Sequence, residues 1–162
     1  MLKEGESAPD FKLEGVSPDN VVKEFTLDDL LQDGRHLVLY FYPKDNTPGC
    51  TKEACDFRDN MNRLINRVNV VGVSADNIKS HIKFKDLYGL NFVLLSDPKK
   101  VAIRNYKAFG KKNFYGKLIE GIIRSTFIIS PSKKILKIWH KVKAAGHVDE
   151  IIEELDRLKI GV

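Results

Sequence analysis

Two stretches of the chain are apolar with no polar alternation, Leu37–Tyr42 (LVLYFY) and Val68–Ser74 (VNVVGVS). Short β-branched or aromatic runs of this kind predict strands buried on both faces of a sheet. Phe92–Leu95 predicts a further short strand. Ser125–Ile129 and Ile135–Trp139 predict an antiparallel pair turning at Pro131-Ser132. Near the start, a strand around Phe11 and another over Val21–Phe25 flank the turn signal Ser17-Pro18-Asp19-Asn20, which predicts a hairpin. Helical spacing fills the gaps. Thr26 caps a short helix, Leu27–Leu31, that ends near Gly34. A longer helix over Pro48–Asn66 places Phe57, Met61, Leu64 and Ile65 on one buried face. Asp76 caps a helix to about Tyr88, with Ile78, Ile82, Phe84 and Leu87 inward and Gly89 as its stop. Pro98 begins a helix to about Tyr106, and Ala108–Glu120 reads as a glycine-containing loop. Asp149–Lys159 is a final amphipathic helix with Ile151, Ile152, Leu155 and Leu158 inward.

The order is hairpin, β-α-β-α-β-α, then β-β-α. Helix-linked buried strands imply a parallel part and the tight pair an antiparallel part. An α/β fold follows, a mixed sheet with helices on both faces. At 162 residues the chain suits one domain, over 1–162. No internal repeat or linker interrupts it.

Composition removes some classes of function. No run approaches the ~18 apolar residues of a membrane span, and MLKEGESAPDF has no apolar core like that of a secretory signal. A cytoplasmic location and no membrane partner are expected. The net charge of +5 comes from dispersed lysines rather than a basic arm, so no nucleic-acid partner is expected. Histidines 36, 81, 140 and 147 are scattered, and none is read as paired at i+3 or i+4. No metal or catalytic role is assigned to them, and Trp139 reads as strand packing.

The chemistry concentrates just after the first buried strand. Pro43 ends that strand, since proline cannot donate to a ladder. Thr47 suits an N-cap and Pro48 the first helical position. Cys50 then falls in the first helical turn, where free N–H groups and the positive dipole end favour a thiolate. An ordinary thiol is only ~3% ionised at pH 7, so such a setting matters to a nucleophile. Both cysteines, Cys50 and Cys55, lie in this helix. Two cysteines with four residues between them argue against a disulfide-stapled secreted fold and suit a redox-active pair. On these residues alone Cys50 competes with a buried structural cysteine, and Cys55 with a bystander. The C-x-x-x-x-C spacing weighs against a thiol–disulfide oxidoreductase, which usually uses C-x-x-C.

The pattern P-x-x-x-T-x-x-C, filled by Pro43, Thr47 and Cys50, resembles the peroxidatic motif of the peroxiredoxins. The longer string FYPKDNTPGCTKEACDFRD resembles the peroxiredoxin Q, or bacterioferritin comigratory protein, group. The likeness continues through GESAPDFKL, VVGVSAD, LLSDP and RSTFII. Ser130-Pro131-Ser132 departs from the acidic turn usual in relatives. The resemblance implies a thioredoxin-like fold with an N-terminal β-hairpin extension. It implies a thiol peroxidase reducing hydrogen peroxide and alkyl hydroperoxides, without metal, haem or flavin. Cys50 would be the nucleophile, and Cys55 would close a disulfide with it that a thioredoxin-type dithiol reopens. Thr47, Gly49, Cys50 and Arg124 would meet the peroxide, with Pro43 shielding the sulfur. Nothing local distinguishes Arg124 from a surface arginine; only the resemblance brings it to the thiolate. Glu53 shares the helix face of Cys50, where it either orients Arg124 or stays solvated. A monomer is expected, with a dimer left open.

Overall fold

The computed structural model describes residues 2–161. The core is a seven-stranded sheet in the order β2-β1-β5-β4-β3-β8-β9. The strands are β1 (Lys12–Val16), β2 (Val22–Thr26), β3 (His36–Phe41), β4 (Val68–Ser74), β5 (Val93–Ser96), β8 (Ser125–Ile129) and β9 (Ile135–His140). β3, β4 and β5 run parallel, while β1, β8 and β9 pair antiparallel with their neighbours. The expected hairpin is β1–β2.

Side-chain alternation in the two apolar runs builds a core on each side of the sheet. Val38, Tyr40, Val68 and Val70 face one layer with Ala54, Phe57, Phe84, Ile151 and Leu155. Leu37, Leu39, Phe41, Val71 and Val73 face the other with Leu27, Leu31 and Ile103. Both faces are therefore dry, which is why these strands carry no polar alternation. The first layer holds α2 (Pro48–Asp59), α3 (Met61–Leu64), α4 (Ile78–Tyr88) and α6 (His147–Arg157); the second holds α1 (Leu27–Leu31) and α5 (Val101–Asn105). Thr26 caps α1 as expected, in a reciprocal capping box with Asp29.

Several boundaries differ from expectation. The cysteine helix stops at Asn60, whose Nδ2 donates to the Asp56 carbonyl at 2.8 Å. That side chain competes for the helical ladder and splits the segment into α2 and α3. Ile65, expected inward, is left exposed beyond the break. The cap of α4 is Asn77, whose Oδ1 accepts from the Ser80 N–H, because the Asp76 carboxylate is engaged elsewhere. The buried face of α4 is His81, Phe84 and Lys85, while Leu87 points to solvent. The helix after Pro98 is only one turn and a half. The stretch Ala108–Glu120, read as a loop, falls instead largely within a separate hairpin of β6 (Phe109–Phe114) and β7 (Lys117–Ile122). Its strands bury almost nothing, so they carry no hydrophobic period; Tyr115 and Gly116, both at positive φ, make its turn.

Candidate active site

Pro43 ends the sheet run after β3, at the carboxyl edge of the parallel strands where open α/β sheets keep their sites. Five residues, 43–47, carry the chain back into α2. Thr47 has extended N-cap backbone, its carbonyl accepts the first helical bond from Thr51 (2.8 Å), and Pro48 opens the helix. The Thr47 side chain makes no cap bond, contrary to expectation. Its hydroxyl donates instead to the Lys44 carbonyl at 2.9 Å, which leaves its lone pairs for another donor.

Cys50 lies one residue beyond the Pro48-Gly49 pair and is 2% exposed. Cys50 and Cys55 are both free thiols on α2, Cys55 half-buried. Arg124 arrives from far along the chain. The antiparallel pairing of β3 with β8 sets Phe41 opposite Ser125, so the residue before Ser125 sits beside the helix start. Arg124 Nη2 lies 3.4 Å from Cys50 Sγ, and Nη1 donates to Glu53 Oε1 at 2.7 Å. One guanidinium thus links the thiol and a carboxylate one helical turn apart, using the fixed fork that lysine lacks. Gly49 makes the approach possible, because a Cβ there would sit 3.0 Å from Arg124 Nη2.

Glu53 is fully buried, not solvated, and its Oε2 has no hydrogen-bond partner among the described residues. Burial pushes its carboxyl up to about 7, opposed by the Arg124 guanidinium and assisted by Asp56. Burial also works against the charge of Arg124, yet Glu53 and Cys50 outweigh it and hold the guanidinium above its ordinary range. The two shifts pull in opposite senses: Arg124 gains from an ionised Glu53, while burial favours the acid. Arginine keeps its proton throughout this range, so the carboxyl is the partner that titrates.

A cleft of about 500 Å³ opens beside Pro43 and Arg124. Leu118, Ile122, Ile123 and Val142 give it apolar walls. Lys112, missed by sequence reasoning, also lines it and donates to the Ile122 carbonyl at 3.0 Å. Burial pushes its ammonium down, with Arg124 in the same sense and Cys50 opposing. Two further sets were missed. His147 does meet an i+3 partner, Glu150 (3.2 Å), and its Nε2 lies 2.8 Å from Thr126 Oγ1. Burial lowers its basicity, against Glu150. Asp45, in the 43–47 loop, and His81, in α4, are buried against each other. His81 could have been found from its i, i+3, i+4 spacing with Phe84 and Lys85; Asp45 carries no local sign of burial.

Residues 5–138 match the model of the AhpC/TSA family. The chain belongs to that family. It is 48% identical over 155 residues to a putative peroxiredoxin bcp of Helicobacter pylori strain 26695, covering 95% of this chain and 98% of that one. Among solved structures it is similar to a cysteine-to-serine mutant of Xanthomonas campestris peroxiredoxin Q. The TM-score is 0.81 at 37% identity, covering 91% of this chain and 90% of that one. It is likewise similar to the X. campestris bacterioferritin comigratory protein, studied for alkyl peroxide reduction in trapped intermediate and ligand complexes. There the TM-score is 0.79 at 37% identity, over 91% and 90% of the two chains. The chain is thus a peroxiredoxin with Bcp and peroxiredoxin Q relatives, and its mixed sheet flanked by helices is thioredoxin-like. Among the described residues no helix is long and apolar enough to cross a membrane.

Proposed function

We propose that this peroxiredoxin, working as one domain over 1–162, reduces hydrogen peroxide and alkyl hydroperoxides through Cys50. The observation that carries the reading is the Arg124 guanidinium 3.4 Å from a buried thiol at a helix start. Cation, dipole and free N–H groups converge where the reacting thiolate carries its charge. The thiolate attacks one peroxide oxygen and the O–O bond breaks. Sulfur is oxidised by two electrons to sulfenic acid, and the other oxygen leaves with a proton as water or alcohol. Arg124 and the first-turn N–H groups stabilise the charge that develops on the leaving oxygen. Thr47 offers its lone pairs to the hydroperoxide O–H, and Pro43 keeps water from the sulfur. The apolar cleft wall supports alkyl as well as hydrogen peroxide substrates.

Cys55 then attacks the sulfenic sulfur, forming a Cys50–Cys55 disulfide and releasing water. Within α2 the two Cα atoms are offset by about 7.5 Å along the axis and about 140° around it. A disulfide needs roughly 7 Å or less and converging side chains, so the first turns must unwind. A thioredoxin-type dithiol reopens the bond by exchange through a mixed disulfide and is itself oxidised. Both cysteines lie in one chain, so a monomer suffices, and such a reductant suits a cytoplasmic setting. None of these steps draws on a metal or an organic cofactor. Peroxide consumption coupled to thioredoxin and its reductase tests the reading. Wild type should turn over and Cys50→Ser should not; an active Cys50→Ser would overturn it.

A further inference from the structure

We propose that Asp45 and His81 form a proton-sharing pair that positions the 43–47 loop, and through it sets the peroxide reactivity of Cys50 and the ease with which α2 opens. The inference rests on the peroxidase reading above. Of the five loop residues, only Asp45 is buried, at 7% exposure, and His81 is fully buried in α4. Asp45 Oδ1 accepts from the Tyr42 hydroxyl (2.6 Å) and Oδ2 from the Ser80 hydroxyl (2.8 Å). His81 Nδ1 lies 2.7 Å from the same Oδ2. The Asp45 N–H donates to Asp76 Oδ2 (2.8 Å), which the Ser74 hydroxyl holds at 2.7 Å. The loop is therefore tied to the ends of β3 and β4 and to α4 at once.

The proton count follows from the far side of the imidazole. His81 Nε2 sits 2.8 Å from the Leu95 carbonyl oxygen, which can only accept, so Nε2 carries a hydrogen. Nδ1 faces a carboxyl oxygen at 2.7 Å, and a contact that short between two lone pairs is repulsive. One further proton lies between them, whether written as imidazolium with carboxylate or as imidazole with carboxylic acid. Either way the pair is neutral as a whole, which suits its burial. Ligand atoms of Asp45, Asp76 and His81 cluster within 4.8 Å of one another. The hydroxyl, imidazole and amide donors already named occupy the carboxylate oxygens at its centre, so hydrogen bonding accounts for the cluster.

Pro43 and Thr47 flank Asp45 at two residues' distance on either side. Loss of the pair frees Asp45 and slackens the residues that shield the sulfur and meet the peroxide. It also removes an anchor next to the turn of α2 that has to unwind. The two catalytic half-steps should therefore move in opposite directions. A role confined to general stability would slow both together.

The test is single-turnover oxidation of the reduced full chain by hydrogen peroxide, timing sulfenic acid and disulfide formation separately. His81→Leu and Asp45→Ala should slow the first step by about tenfold or more, while Asp45→Asn stays within about threefold of wild type. The asparagine amide supplies its own N–H to His81 Nδ1, and the Ser80 hydroxyl turns to accept. Disulfide formation should quicken severalfold in His81→Leu and Asp45→Ala. Should His81→Leu fail to fold, the two Asp45 variants decide. Equal rates in Asp45→Ala and Asp45→Asn, or both steps slowing together, would overturn the proposal. An inert wild type would instead overturn the peroxidase reading itself.

Discussion

Gly49 shows at residue scale how tightly the site is drawn. Arg124 crosses the helix where Gly49 leaves no Cβ, and its other nitrogen is fixed on Glu53. Gly49→Ala should therefore push the guanidinium aside by a few tenths of an ångström and slow peroxide reduction. A Gly49→Ala rate equal to wild type would mean that the close approach of Arg124 over Gly49 does not matter to the reaction. Thr47 separates into hydroxyl and methyl in the same way. Thr47→Ser keeps the lone pairs and should stay within severalfold of wild type. Thr47→Val should slow peroxide reduction on the order of a hundredfold, as losing one positioned polar group does elsewhere. Comparable rates for the two would exclude contact with the peroxide. Glu53 gives a pH prediction with a definite sign. Its carboxyl is held at about 7 in the fold against an ordinary 4.5, so the native state binds the extra proton between those values. Its contribution to stability is fully present below about pH 4.5 and is lost as pH rises through 7. Glu53→Gln, which has no proton to lose, should gain stability relative to wild type across that window, by up to roughly 3 kcal/mol. Denaturant midpoints at pH 4.5 and 8 measure it, and a difference that does not grow with pH would refute the assignment.

At the scale of elements, α2 is the part that must change. It carries both cysteines, and helix ends open at low cost compared with a core strand. Hydrogen exchange should show the amides of 51–55 protected in the reduced protein and released in the oxidised one. Phe57, fully buried and stacked on Tyr40 at 4.6 Å, should keep the far end of α2 protected in both. A Cys50–Cys55 bridge with the helix still protected would contradict the unwinding. Cys55→Ser should stop at sulfenic acid and overoxidise more readily under excess peroxide, read by intact mass.

The whole molecule explains what could be read from the sequence and what could not. β3 and β4 were legible because they are apolar on both faces, and the cysteine turn because proline, glycine and an N-cap residue mark it locally. The hairpin β6–β7 was not, since strands that bury almost nothing leave no hydrophobic period. Arg124 and Glu53 could be expected together only through family likeness. Their contact spans 71 residues and exists because β8 inserts beside β3. Asp45 and His81, 36 residues apart, were invisible for the same reason. Sheet register, rather than any local motif, assembles the site.

The measurement that bears most directly on this account is the reaction of reduced protein with one equivalent of hydrogen peroxide, followed by peroxide loss and intact mass. The wild type should consume the equivalent and lose two hydrogens to an intramolecular disulfide, while Cys50→Ser should leave both peroxide and mass unchanged. Substantial peroxide consumption by folded Cys50→Ser, or a wild type that does not react, would contradict the assignment of Cys50 as the peroxidatic nucleophile.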